Sequence, residues 1–116
     1  MPTFLLPTFP DSLNQIQTLQ VPLSGGTRSL RVQLRFHEAP ALWFLSIWDS
    51  VSGDLLVNSI PVRTSDGAIN DLLKPFRHHR LGSLCCFPHT EDKAGKDPGK
   101  DDLIDYDLIW TECLPL

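Results

Sequence analysis

No long apolar run, no cluster of basic residues and no even set of cysteines occurs in this chain, and each absence removes a class of protein. Cys85, Cys86 and Cys113 are an odd count, and no secretory leader pattern precedes them. A disulfide framework is therefore not expected, and a reducing compartment at synthesis is. The apolar opening MPTFLLPTFP has no basic flank and is broken by Pro2, Pro7 and Pro10, so it fits neither a signal peptide nor a membrane span. Ten Lys and Arg stand against fourteen Asp and Glu, giving a formal charge of -4 and a pI near 5.4. Phosphate binding is driven by clustered cations, so nucleic acid is not an expected partner. No GxSxG, HExxH or GxxxxGK[ST] string is present, which leaves the common hydrolase, zinc-protease and nucleotide-binding motifs without a foothold.

What is present suits one domain with a single core: 116 residues, 41% hydrophobic and 21% charged. The charge is uneven. Residues 1–88 hold seven Lys/Arg and six Asp/Glu, whereas residues 89–116 hold three and eight. An acidic final third is either a solvated surface or a means of steering a basic partner.

Residues 1–15 read as an extended proline-rich arm in which Phe4, Leu5, Leu6 and Phe9 need a surface to lie on. That surface is either the protein's own core or a neighbouring subunit. Residues 16–116 read as a β domain. TRSLRVQLRF alternates, with Leu30, Val32, Leu34 and Phe36 on one face and Ser29, Arg31, Gln33 and Arg35 on the other. SGGT ahead of it makes a hairpin with IQTLQVP. ALWFLSIWD is apolar on both alternating sets, the pattern of a central strand covered twice. DSVSGD supplies turn chemistry that returns LLVNSIPV antiparallel, and Pro61 places that strand at a sheet edge or ends it. A short helical turn is expected near Asp71, limited by Pro75. LGSLCCF is a further strand, PHTEDKAGKDPGKDD a long polar loop, and LIDYDLIWTECL a last strand with Tyr106, Leu108 and Trp110 on one face. The expectation is an all-β, antiparallel sandwich or small barrel of about six strands with at most one short helix.

Chemistry has few footholds. Cys85 or Cys86 with His78, His79 or His89 would be a nucleophile and base, but nothing local marks an activated thiol. The same cysteines with His89 and the RHHR histidines are zinc-type ligands, yet adjacent strand residues point to opposite faces. EDKAGKDPGKDD lacks the ligand spacing of a calcium loop. No catalytic, metal or cofactor site is expected, and no enzyme activity. Arg77 and Arg80 in FRHHR are candidates for gripping a phosphate or an acidic surface, or are an exposed loop; histidines in an interface there would make assembly pH-dependent near their reference value of about 6.5. Trp48 and Trp110 are candidates for an interface hot spot or members of the core with Trp43 and Phe44.

Several strings, taken in order, carry a family resemblance. LWFLSIWDSVSGDLLVNSIPV, Leu72-Leu73, LGSL at 81–84 and DPGKDDLIDYDLIW together resemble the small baseplate plug proteins of contractile-tailed bacteriophages, over residues 42–110. That family's pattern has an aromatic strand W-x-L-S-I, an acidic-glycine turn, a strand ending in Ile-Pro, a Leu-Leu step, a Gly-Ser-Leu strand and a D-P-x-x-D-D-L segment. This chain departs at Ser59, where many relatives have glycine before Ile-Pro, and at Leu103-Ile104-Asp105, where they commonly have Leu-Gly. The resemblance implies a virion component in the tail baseplate, made in the host cytoplasm and seated near the axis where tube, hub and spike meet. It implies partners among baseplate, hub, spike or tail-tube proteins, self-association in a symmetric assembly, no catalysis, no nucleic acid and no membrane. The rival readings are another small tail protein, tube-terminating or adaptor, and a small-molecule-binding β-barrel.

Overall fold

The alternation of residues 30–36 is realised side chain by side chain: Leu30, Val32 and Leu34 are buried, Phe36 packs on the core, and Arg31 and Arg35 are exposed. The computed structural model describes residues 3–9, 12–23, 26–65, 70–93 and 96–111. Gly25, Cys113, Pro2 and Pro10 lie outside them, as do the side chains of Arg77 and His78.

Among the described residues seven strands form two antiparallel sheets. The larger runs β2 (Asn14–Leu23), β3 (Gly26–His37), β4 (Leu42–Asp49) and β5 (Leu55–Pro61) in sequence order. The smaller has β7 (Tyr106–Thr111) between β1 (Thr3–Leu5) and β6 (Ser83–Pro88). The fold is therefore all-β, as expected, and it is a two-sheet sandwich. The inner faces meet in one core built on Trp43, Leu45 and Ile47 of β4, Val57 of β5, Leu84 and Cys86 of β6, and Tyr106, Leu108 and Trp110 of β7.

The strand missing from the sequence reading is β1. Three residues flanked by prolines carry too short a pattern to signal a strand, but Phe4 pairs with Trp110 and Leu5 with Ile109, and the Leu6 N–H donates to the Leu108 carbonyl at 2.9 Å. Leu6 is 2% exposed. The arm's first residues are part of the small sheet, so the docking of Phe4 and Leu6 on another subunit is corrected: their surface is the chain's own core. Leu6→Ala is expected to cost about 2–3 kcal/mol in chemical denaturation. An unchanged midpoint would restore the detachable arm.

The DSVSGD turn is held by one carboxylate. Asp49 Oδ1 accepts from the N–H of Val51 (2.9 Å) and Ser52 (3.2 Å), and its carbonyl accepts from the Gly53 N–H at 2.8 Å. Those two N–H groups, the Ser52 contribution first, hold the Asp49 carboxyl below the ordinary carboxylate range, with Arg28 adding to the effect. Beyond the turn, β5 pairs only with β4 and ends at Pro61, so it is an edge strand.

The short helical element expected near Asp71 is a 3-10 segment at Lys74–His79, broken at Phe76, whose φ of -111° and ψ of 21° are not helical. The break follows Pro75 directly, and each helical piece is short. Asp71 secures the approach: its Oδ1 accepts from the N–H of Leu73 (3.0 Å) and Leu84 (3.1 Å), and its Oδ2 from the Ser83 hydroxyl at 2.9 Å.

Candidate functional site

The outward face of the large sheet is the most distinctive surface. Cross-strand register sets Thr18, Arg31, Trp48 and Leu55 in one row and Asn14, Arg35, Phe44 and Pro61 in another, with Ile16, Gln33 and Ser46 between them. The Arg31 guanidinium carbon lies 4.8 Å from the Trp48 ring centroid, a cation–π contact. His37 meets the Phe44 ring edge-on at 4.7 Å. Ile16 is 58% exposed and Leu55 47%. Neither row carries a carboxylate, and β2 places Asn14, Ile16, Thr18, Gln20 and Pro22 outward, none of them charged. The face thus carries two arginines on β3 beside an apolar strip on β4 and β5, with Gln33 and Ser46 between the rows. The doubly apolar pattern of β4 is only half realised: Trp43, Leu45 and Ile47 are buried, while Phe44 and Trp48 are half-buried on this open side.

The eight candidate interface residues separate into three groups. Trp110 is 1% exposed and its Nε1–H donates to the Leu81 carbonyl at 2.5 Å. Like Leu6 it belongs to the core cluster, and half-buried Phe4 packs on it, so within this chain Trp110 and Leu6 contribute to the core. Leu5, Phe9, Trp48 and Arg80 remain reachable: Leu5 points outward from the small sheet at 56% exposure, and Phe9 is 50% exposed. The Phe9 backbone is clamped by buried Gln15, which accepts from its N–H at 3.0 Å and donates to its carbonyl at 2.5 Å. Arg80 is exposed with φ +56°. Arg77 stands in the 3-10 turn, and its side chain lies outside the described residues. The loop is tied to the large sheet by Arg28, whose Nη1 donates to the His79 carbonyl at 2.7 Å while Nη2 approaches Asp49 Oδ2 at 3.4 Å.

The described residues of the acidic segment after β6 fold against the end of the sandwich. Trp43 Nε1–H donates to the Gly99 carbonyl at 2.7 Å, Asp97 accepts from the Thr64 N–H and Arg63 at 2.9 Å each, and the Tyr106 hydroxyl donates to the Lys96 carbonyl at 2.8 Å. Lys93 bridges Asp102 (3.1 Å) and Asp105 (3.5 Å), and the Asp102 hydrogen bond is the main cause of its raised pKa. Glu91, Asp92, Lys96, Lys100 and Asp101 are exposed in this segment, as is Ile104 at 47%.

The two cysteines of β6 point to opposite faces, as strand alternation requires. Burial pushes the Cys85 thiol up to about 11 and the Cys86 thiol up to about 12, with nearby aspartates adding to both shifts. Both are therefore protonated at neutral pH, the opposite of an activated nucleophile. His89 instead pairs with Asp107 at 2.7 Å. Among the described residues no group of three or more His, Cys, Asp or Glu is arranged to hold a metal ion, and no helix is long and apolar enough to cross a membrane.

A scan against protein-family models matches none of them, and a search of curated proteins finds no significant match. The geometry therefore carries the functional argument. What the sequence reading did not single out is the grouping of Arg31, Arg35, Phe44 and Leu55 across the two rows. The signal was there: RSLRVQLRF puts both arginines on the strand's other face, and the apolar second set of β4 lies beside them in register.

Proposed function

We propose that this chain is a structural component of a phage tail baseplate, acting near the hub and tube axis through protein–protein contacts. The observation that carries the reading is the backbone at Ser59. The residue has φ +49°, the left-handed region that favours glycine, at an irregularity in the β4–β5 pairing. Glycine is what the plug pattern has there.

Other parts of the same pattern fall on residues that hold the sandwich together. The aromatic strand supplies Trp43, the Leu-Leu step is buried at Leu72 and Leu73, and DPGKDDL supplies buried Pro98, the Gly99 carbonyl that accepts from Trp43, and buried Leu103. The second departure has no conformational counterpart, since Ile104 lies in a 3-10 turn at Leu103–Asp105.

Ser59→Gly is expected to stabilise the protein by about 0.5–1 kcal/mol by removing the Cβ from a left-handed residue. Its side chain is exposed, and the Ser59 N–H that donates to Ser46 Oγ at 3.0 Å is kept. A loss of stability would remove the argument from Ser59.

The role itself is tested by cross-linking mass spectrometry on purified tails of a phage that encodes the chain. Fixed stoichiometry with cross-links to hub and tube proteins is the expected result. Cross-links to the far end of the tube would place it as a terminator, and absence from the particle would sink the structural role.

A further inference from the structure

We propose that β2 is a docking edge, and that a second copy of this chain adds its own β2 there, antiparallel across a two-fold axis at Thr18. The inference rests on the strands and not on the tail assignment above.

A sheet edge is a row of unpaired N–H and C=O groups, and folded proteins blunt it by shortness, charge, irregular pairing or a covering segment. Among the described residues, three of the four edges are blunted. β1 is three residues long. β5 has two register shifts against β4 and ends at Pro61. β6 is covered: the Ser65 N–H donates to the Cys86 carbonyl at 2.9 Å, the Leu72 N–H donates to the Leu84 carbonyl at 2.8 Å, and Asp71 takes the Leu84 N–H. β2 is different. Its ten residues pair with β3 without a shift and include no charged side chain.

Hydrogen-bond parity shows which groups are open. The Phe36 N–H donates to the Leu13 carbonyl at 2.8 Å, and an antiparallel ladder alternates between pairs that exchange both bonds and pairs that exchange none. The odd residues of β2 therefore bond β3, and Asn14, Ile16, Thr18 and Gln20 aim their backbone groups at the free edge. Pro22 offers a carbonyl only. At Asn14 the carbonyl accepts from the Ser12 hydroxyl at 2.8 Å.

These two irregular ends select the partner. With the axis at Thr18, Thr18 faces Thr18 of the second copy, Ile16 faces Gln20, and Asn14 faces Pro22, the self-complementary arrangement of a two-fold interface. The first two kinds of pair exchange both bonds. In the third, the missing Pro22 N–H falls opposite a carbonyl that Ser12 already supplies. No like charges meet, and Thr opposite Thr is a favourable cross-strand pair. Exposed apolar side chains stand at the same edge for a second copy to cover: Ile16, Leu13 just before β2, and Phe9, held there by Gln15.

The full chain is expected to dimerise in sedimentation velocity, and the amides of Ile16, Thr18 and Gln20 to exchange with deuterium more slowly as protein concentration rises. Thr18→Lys sets two like charges opposite each other and is expected to weaken the dimer by about tenfold or more. Its side chain is exposed, so the dilute, monomeric variant is expected to melt like the original. Thr18→Cys tests the register. Cα atoms of such a pair lie about 5.5 Å apart, inside the range of about 4.4–6.8 Å that a disulfide spans, so mild oxidation should link the copies. Ile16→Cys alone should not link, whereas Ile16→Cys mixed with Gln20→Cys should; the original chain, oxidised alongside, reports any linkage through its own cysteines. A chain that stays monomeric at every concentration, a dimer indifferent to Thr18→Lys, or linkage that ignores register would overturn the inference. Particle cross-links to hub or tube proteins succeed or fail separately.

Discussion

Trp110→Ala is expected to lower stability by about 3–5 kcal/mol, the range for truncating a fully buried aromatic. Trp110 stands on the middle strand of the small sheet, with Phe4 beside it on β1 and Leu84 on β6. Truncation would empty the centre of that inner face. It would also leave the Leu81 carbonyl without the indole N–H that now donates to it at 2.5 Å, a loss that costs about 1–3 kcal/mol where the acceptor stays buried. The total stability of a domain is only about 5–15 kcal/mol, so the variant would melt roughly 10–20 °C lower. Trp48→Ala provides the contrast, because that ring is half-buried on the open face under Arg31. Its effect belongs in association and much less in the melting temperature. Thermal denaturation of the two variants side by side separates core from surface. A Trp110→Ala protein that melted normally but failed to associate would return Trp110 to the interface.

That contrast also shows what the sequence could and could not reveal. Period-two alternation placed Tyr106, Leu108 and Trp110 on one face and Leu30, Val32 and Leu34 on another, because a strand with one buried face writes its burial into every second residue. It could not say which of two tryptophans in comparable strands was buried on both sides, since that depends on the layer stacked above. Trp48 faces out by strand parity, opposite in direction to Ile47, and stays half-buried under Arg31. The arm failed for a related reason. Its pairing with β7 joins residues about a hundred positions apart, and a three-residue strand has no period to read. The loop after β6 looked polar because its carboxylates are polar. Asp97 and Asp102 nevertheless act as internal acceptors that fold it over Trp43. The stretch read as a long polar loop, and nothing in it gave a sign of what it would be tied to.

Gly82→Ala is expected to cost about 3–4 kcal/mol, far more than a glycine-to-alanine change at an open turn. Two separate penalties combine at this position. Its φ of +81° lies where an L side chain is strained, which costs about 1–2 kcal/mol. A Cβ there would also overlap the carbonyl oxygen of Thr111 and come within 3.3 Å of Leu23 Cδ2. The first obstacle is backbone and cannot rotate away, so β6 and β7 would have to part where Ser83 pairs with Thr111, adding about 1–3 kcal/mol of overpacking. Gly53 separates the two terms. It shares the φ of +81°, but nothing lies within 4 Å of a Cβ built on it. Gly53→Ala therefore bears the conformational penalty alone, about 1–2 kcal/mol. Urea denaturation of both variants measures the difference directly. Equal losses would mean that the chain at Gly82 stands further from Thr111 than described and that the Gly-Ser-Leu step is set by turn geometry alone. A larger loss at Gly82 would make the close approach of β6 to the end of β7 the reason that glycine stands at that step.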